Sequence, residues 1–161
     1  MDNNIKLIAH RGNIHGPNEV RENHPSYIDE AIAAGFDVEI DLRVKDKRFH
    51  LGHDEPQYEV SHDWLYDRKD SLWLHCKEFA ALFALQYSEF NYFFHDSDEY
   101  TLTSKNFMWS HPRAAKIKNT VHVIQGRRDD EFAKTIISGQ PLGICSDYVT
   151  RIRGLLREGE S

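Results

Sequence analysis

Gly35-Phe36-Asp37-Val38-Glu39-Ile40-Asp41-Leu42-Arg43-Val44-Lys45-Asp46-Lys47-Arg48-Phe49-His50-Leu51-Gly52-His53-Asp54 decides the fold. Residues 36–42 alternate strictly: Val38, Ile40 and Leu42 take one side and Glu39 and Asp41 the other, the period-2 pattern of a strand. A second apolar segment, Phe49–His53, follows too soon for a parallel crossover, which needs about a dozen residues or more. The two segments must therefore form a hairpin with Lys45-Asp46-Lys47 at the turn. A three-residue turn sets His53 opposite Glu39, and a two-residue turn sets Asp54 there. Either register brings a histidine within one cross-strand step of the carboxylates.

Working outward, Ile5–Ala9 is a short apolar strand running into His10-Arg11-Gly12. A helix starts at His24-Pro25-Ser26, with Pro25 suited to the first turn and Gly35 closing it. Residues 55–71 read as a polar, irregular loop. Strands are predicted at Ser71–Lys77, Asn91–His95, Asn106–Ser110, Thr120–Gln125 and Leu142–Ser146. Helices are predicted at Glu78–Tyr87, with an apolar face of Phe79, Leu82 and Phe83; at Asp129–Ser138, with an acidic first turn; and at Val149–Leu156.

Strands alternating with helices predict an α/β fold with a mostly parallel sheet, and the strand count suggests a barrel. An eight-fold (β/α) barrel ordinarily takes about 250 residues. At 161 residues the chain predicts a small, irregular TIM-like barrel with reduced or missing helices, a single domain spanning 1–161.

The net charge of −6 offers no broad basic surface, which argues against a nucleic-acid partner. The longest apolar run, Phe79–Leu85, is too short to cross a bilayer, so no integral membrane segment is expected. The start, Met-Asp-Asn-Asn-Ile-Lys, lacks the pattern of a signal peptide. Cys76 and Cys145 both lie in apolar stretches and read as buried, reduced thiols of a cytoplasmic protein.

Strand after strand ends on a reactive side chain: His10, Glu39 and Asp41, His53, His75 and Lys77, His95, and Asp147. In parallel α/β folds such ends gather on one face, where active sites lie. Two imidazoles, a carboxylate pair and a guanidinium are what metal-assisted phosphodiester cleavage needs: a proton acceptor, a proton donor, oxygens for a hard cation and a fork for phosphate. His15, His24, His50, His62, His111 and His122 read instead as surface or satisfied core residues.

These residues resemble the glycerophosphodiester phosphodiesterase family. The similarity rests on His10-Arg11-Gly12, Glu22-Asn23, Gly35-Phe36-Asp37-Val38-Glu39-Ile40-Asp41 and His53-Asp54, in that order, with Gly143-Ile144-Cys145-Ser146-Asp147-Tyr148 resembling the final barrel strand. The resemblance implies a barrel hydrolase using a divalent metal ion (Mg, Ca, Mn or Zn) on a small-molecule phosphodiester, glycerol- or sugar-linked. It implies that His10 and His53 are the acid/base pair and that Glu39 and Asp41 are metal ligands. Arg11 would contact the phosphate, and Glu22, Asn23 and Lys77, with His95 from the strand-end pattern, are the candidate phosphate or substrate contacts. In the family a substrate hydroxyl can attack phosphorus to give a cyclic phosphate that water then opens.

One departure stands out. Where the family has a metal-binding Glu two residues before a Lys, Leu74-His75-Cys76-Lys77 carries His75. As a ligand, His75 would remove one negative charge and shift preference from Mg²⁺ or Ca²⁺ towards Mn²⁺ or Zn²⁺. Two alternatives keep the same pocket: a catalytically degenerate module that only binds a phosphate ligand, and a phospholyase that stops at the cyclic phosphate.

Overall fold

The structure is a computed structural model describing residues 5–115, 117–126 and 129–159. Met1–Asn4, on which the expectation of no leader partly rests, lie outside the described residues. The strands are β1 (Lys6–His10), β2 (Asp37–Lys45), β3 (Arg48–Leu51), β4 (Tyr58–Val60), β5 (Leu72–Cys76), β6 (Tyr92–Phe94), β7 (Tyr100–Leu102), β8 (Met108–Ser110), β9 (Val121–Ile124) and β10 (Gly143–Ser146). The helices are α1 (Pro25–Ala33), α2 (His62–Asp67), α3 (Phe79–Leu85), α4 (Asp130–Ser138) and α5 (Val149–Gly159).

All ten strands join one sheet. Neighbours β6, β5, β2, β1, β10, β9 and β8 run parallel, while β3, β4 and β7 are antiparallel additions. The mixed α/β class is as expected. The outer members also approach one another: Ser104 N donates to Tyr92 O at 2.8 Å, and Thr101 Oγ1 to Phe94 O at 3.0 Å.

The central hairpin forms with the shorter turn. Lys45 pairs with Arg48, leaving Asp46 and Lys47 as a two-residue turn with φ of 51° and 61°. Two consecutive positive φ values match the right-handed twist of the flanking strands. The ladder stops at Leu42–Leu51, and its last bond runs from Gly52 N to Asp41 O at 3.1 Å. Neither His53 nor Asp54 therefore becomes a ladder partner of Glu39. Gly52, at φ 152°, turns the chain away, and a Cβ there would sit 2.0 Å from the Glu55 carbonyl oxygen.

The period-2 reading of β2 holds on both faces. Val38, Ile40 and Leu42 are fully buried beside α1 residues Ile28 and Ala31 and α3 residues Ala81 and Leu85. Each such side chain contributes roughly 1.5–3 kcal/mol by leaving water. On the other face Ile8, Trp73, Phe93, Trp109, Val121 and Cys145 form a second cluster. Trp109 packs on Phe93 and Trp73 with ring centroids 4.6 and 5.7 Å apart. This plug covers that face of the sheet beneath the reactive strand ends.

Three local expectations need correction. Residues 55–71 are not a bare loop: Val60 is buried in β4, and Ser61 caps α2 by accepting from Trp64 N. Strand β7 follows the exposed Asp96–Glu99 turn, where no strand was expected. In α3 the buried residues are Ala81 and Leu85, with Leu82 partly buried. Phe79 and Phe83 point outward, 75% and 65% exposed, and stack on each other. Small Ala81 lets α3 approach the sheet closely, which rotates the aromatic pair into solvent. Cys76 and Cys145 are buried and unpaired, and burial pushes the Cys76 thiol up to about 12. Among the described residues no helix is long and apolar enough to cross a membrane.

Candidate active site

Strand register sets the site. Ile8 aligns with Asp37 and Cys145, His10 with Glu39, Glu39 with Trp73, Asp41 with His75, His75 with Phe93, and Cys145 with Val123. Residues directly opposite on neighbouring strands share a face. His10, Glu39, Asp41 and His75 therefore share the face of the aromatic plug, and Lys77, His95, His111, Gln125 and Asp147 continue the same alternation just past their strands.

The His-Arg-Gly turn opens the site. Arg11 and Gly12 have φ of 54° and 88°, and a Cβ on Gly12 would meet Tyr27 Cδ1 at 3.0 Å. A left-handed backbone hard against a buried ring leaves room only for glycine. The turn delivers His10 to the cleft with Nδ1 2.8 Å from Asp147 Oδ1 and Nε2 3.9 Å from Glu39 Oε2. Burial would lower the His10 pKa, but the hydrogen bond to Asp147 and the charges of Glu39 and Asp147 outweigh it and leave it above 6.5. Burial likewise raises Asp147, yet the bond and charge of His10, helped by Asn13, hold it below 3.8.

Glu39 and Asp41 are 2% and 1% exposed. His75 Nδ1 lies 3.4 Å from Glu39 Oε1 and 3.6 Å from Asp41 Oδ1, and these three residues are close enough to share one metal ion. Burial alone would push the Glu39 carboxyl up; the His75 hydrogen bond and the charges of His10, His75 and Arg11 bring it down to about 2. Glu39 Oε2 and Asp41 Oδ1 are buried without a hydrogen-bond partner. Buried carboxylate oxygens left without a hydrogen bond, beside an imidazole, make a donor set that a divalent cation would satisfy.

Partners outside the donor set fix its geometry. Asn23 Nδ2 donates to Asp41 Oδ2 at 2.9 Å, and Asp41 N donates to Asn23 Oδ1 at 2.9 Å. Arg11 Nε lies 3.0 Å from Asp41 Oδ2, and its Nη1 donates to Glu22 Oε2 at 3.1 Å. Lys77 Nζ stands 3.6 Å from Asp41 Oδ1. His75 Nε2 is 2.9 Å from the His95 carbonyl and donates to it, which leaves Nδ1 to face the carboxylates, as a donor when it holds a proton and as a metal ligand when it does not.

Two cavities meet at His10, Arg11, His53 and Gln125. One, about 570 Å³, is bordered by Glu19, Glu22, Asn23, Asp54 and Asp147. The other, about 330 Å³, is bordered by Glu39, His75, Lys77, His95, Asp96, Trp109 and His111. His53 sits on the rim between them with its side chain 40% exposed, and its Nδ1 lies 2.8 Å from Asp54 Oδ1. Arg43 holds this segment by donating to the carbonyls of Gly52 and His53 while its other arm meets Glu78.

Every sequence-predicted residue thus lies in or directly behind one cleft. Asn23 borders the larger cavity and holds Asp41 with both ends of its amide, so it positions a carboxylate of the site. Glu22 is committed to Arg11 and Asn13. His111, expected at the surface or in the core, borders the cleft, whereas His122 is a satisfied core residue bonded by Ser110 and Thr120. Residues not anticipated as part of the site are Asn13, Arg43, Gln125 and His111, and the tie from Asp147 to His10. Asn13 is fully buried and donates to both Glu22 and Asp147 while accepting from Tyr27 OH. Comparison with family models, curated proteins and solved structures finds no match to this chain.

Proposed function

We propose that the protein is a metal-dependent phosphodiesterase, a phosphoric diester hydrolase acting on a small glycerol- or sugar-linked diester. The observation that carries this reading is the meeting of His10 and His53 on one cleft over the Glu39–Asp41–His75 cluster. The single sheet, with its outer members bonded through Ser104 and Thr101, supports a pared-down (β/α) barrel in which β7 stands in for a parallel strand. Reduced, buried thiols support a cytoplasmic setting.

A divalent cation held by Glu39, Asp41 and His75 would polarise a phosphate oxygen and neutralise charge developing on phosphorus. Around the cluster the carboxylates Glu22, Glu39, Asp41 and Asp147 outnumber the permanent cations Arg11 and Lys77, which favours a divalent cation there. Imidazole in place of a carboxylate favours Mn²⁺ or Zn²⁺ over Ca²⁺. His10, with Nδ1–H directed to Asp147, presents Nε2 to the cleft, and its raised pKa suits it to protonating a leaving alkoxide. His53, nearer bulk water, accepts the proton of the attacking hydroxyl or water. Arg11 and Lys77 hold the phosphate from the carboxylate side.

A binding module without turnover is the second reading. It is favoured by the position of His75: protonated at Nδ1 as well, it would face both carboxylates as a donor and offset one of their two charges without a metal. Hydrolysis of bis-(p-nitrophenyl) phosphate with Mn²⁺ or Mg²⁺ separates the two. The hydrolase reading expects turnover that falls about 10²–10⁴-fold in His10→Ala and His53→Ala. Absence of turnover with every metal favours the module, and activity surviving both substitutions removes the assigned roles. Analysis of a glycerophosphodiester reaction by ³¹P NMR distinguishes a hydrolase, giving an acyclic monoester, from a lyase, leaving a cyclic phosphate.

A further inference from the structure

We infer that His95 and His111 form a hydroxyl-binding subsite, so that the substrate is a diester carrying a sugar-sized, polyhydroxylated group on the side of β6 and β8. This rests on the phosphodiesterase reading and names the substrate class that the smaller cavity would select. His95 and His111 continue the cleft-facing alternation of Phe93 and Trp109, and both border the cavity of about 330 Å³. Their rings lie 5.7 Å apart.

Both ring nitrogens of His95 are buried, and neither has a hydrogen-bond partner. A neutral imidazole offers one donor and one acceptor, and leaving both unmade is costly unless a ligand completes them. His111 Nδ1 accepts from Arg113 N at 3.3 Å, which puts its proton on Nε2 as a further donor. Lys77 and Gln125 add polar groups to the same walls. This mixture of donors and acceptors matches hydroxyls, which do both. A second anion, an acceptor only, would meet the Glu39 and Asp96 carboxylates of the same cavity.

Size separates a sugar from a smaller alcohol. The cavity reaches the lower end of the roughly 300–1,000 Å³ that encloses a ring-sized or larger ligand. Glycerol would leave much of it to water, while a pyranose would bring a ring of hydroxyls to His95, His111 and Gln125. The walls are too polar for an acyl chain.

The test uses p-nitrophenyl phosphodiesters whose second ester is ethyl, glycerol or the 6-hydroxyl of glucose, assayed with Mn²⁺. The expected order of kcat/KM is glucosyl above glyceryl above ethyl, with at least about tenfold between the ends. His95→Phe collapses that ratio through KM, and His95→Asn, which keeps a donor and an acceptor, restores most of it. A glucosyl-to-ethyl ratio near one in the wild type, or a ratio unchanged in His95→Phe, overturns the inference. A preference for a diester bearing a carboxylate or second phosphate overturns it too, in favour of an anion site. Hydrolysis of the ethyl diester with a flat ratio sinks this inference alone. No hydrolysis of any diester sinks the phosphodiesterase reading, and this inference falls with it.

Discussion

His10 and His53 border the same cleft, yet the fold mounts them in opposite ways. His10 ends a central strand, its side chain is 22% exposed, and its Nδ1 is tied to a carboxylate that Asn13 also holds. His53 lies past the end of a hairpin, is 40% exposed, and pairs with an Asp54 side chain that is 93% exposed. The backbone carries the second mount: Gly52 makes the bend, and Arg43 grips the carbonyls of residues 52 and 53. The contrast teaches that a proton-transfer group can be fixed through its ring or through its main chain. A buried ring is tuned by its partners, and an exposed one keeps access to solvent.

The largest effects that test this contrast are removals of the rings themselves. His10→Ala is expected to lower kcat by about 10³–10⁴-fold and His53→Ala by about 10²-fold, because water can replace a rim group more easily. Steady-state kinetics on bis-(p-nitrophenyl) phosphate measure both, and equal losses would erase the distinction.

Asp147→Asn comes next. Loss of the group that orients His10 should cost roughly 10–100-fold in kcat with little change in KM. It also has a signature in stability. Asp147 has its pKa lowered on folding from 3.8, so its contribution is present above that value and lost as pH falls through the folded pKa. His10 has its pKa raised from 6.5, so its contribution is present below 6.5 and lost as pH rises through the folded pKa. The gap in melting temperature between wild type and Asp147→Asn, in chelator-treated protein, should therefore be widest between pH 3.8 and 6.5 and narrow on both sides. A gap independent of pH would mean that the pair is not ionic.

Arg43→Ala tests the main-chain mount. Freeing the Gly52 and His53 carbonyls should lower kcat/KM about tenfold through misplacement of the ring, and limited proteolysis should find the 52–57 segment more readily cut. The smallest effect belongs to Asp54→Asn, within about threefold in kcat and without a measurable change in melting temperature, since an exposed ion pair contributes little. A large loss there would show that His53 relies on its side-chain partner as His10 does.

The same division governs what the sequence could disclose. The strict alternation of Val38, Ile40 and Leu42 against Glu39 and Asp41 is local, and it survives folding because a slip of one residue would invert every side chain. Gly12 was legible as a motif member, though the reason for it, the Tyr27 ring, comes from elsewhere in the fold, and Gly52 is explained only by the bend that brings the Glu55 carbonyl against it. The inward face of α3 was misread because Phe79, Leu82 and Phe83 form the more apolar stripe, and tertiary packing chose Ala81 and Leu85 for a close approach. Asp147 was visible as a polar strand end, but its bond to His10 spans 137 residues, and no spacing rule reaches that far. Asn13 carries no local signal, being an ordinary polar residue until the cleft closes on it, whereas Arg43 continues the alternation of Glu39 and Asp41. His111 had one, since it continues the alternation of Trp109.

A crystal soaked in Mn²⁺ and measured at the manganese absorption edge tests the central claim most directly. The account predicts one anomalous peak at about 2.0–2.3 Å from a Glu39 oxygen, an Asp41 oxygen and His75 Nδ1, absent from His75→Phe crystals or weakened in them. A peak elsewhere, or none while Glu39, Asp41 and His75 stay in contact with one another, would contradict it.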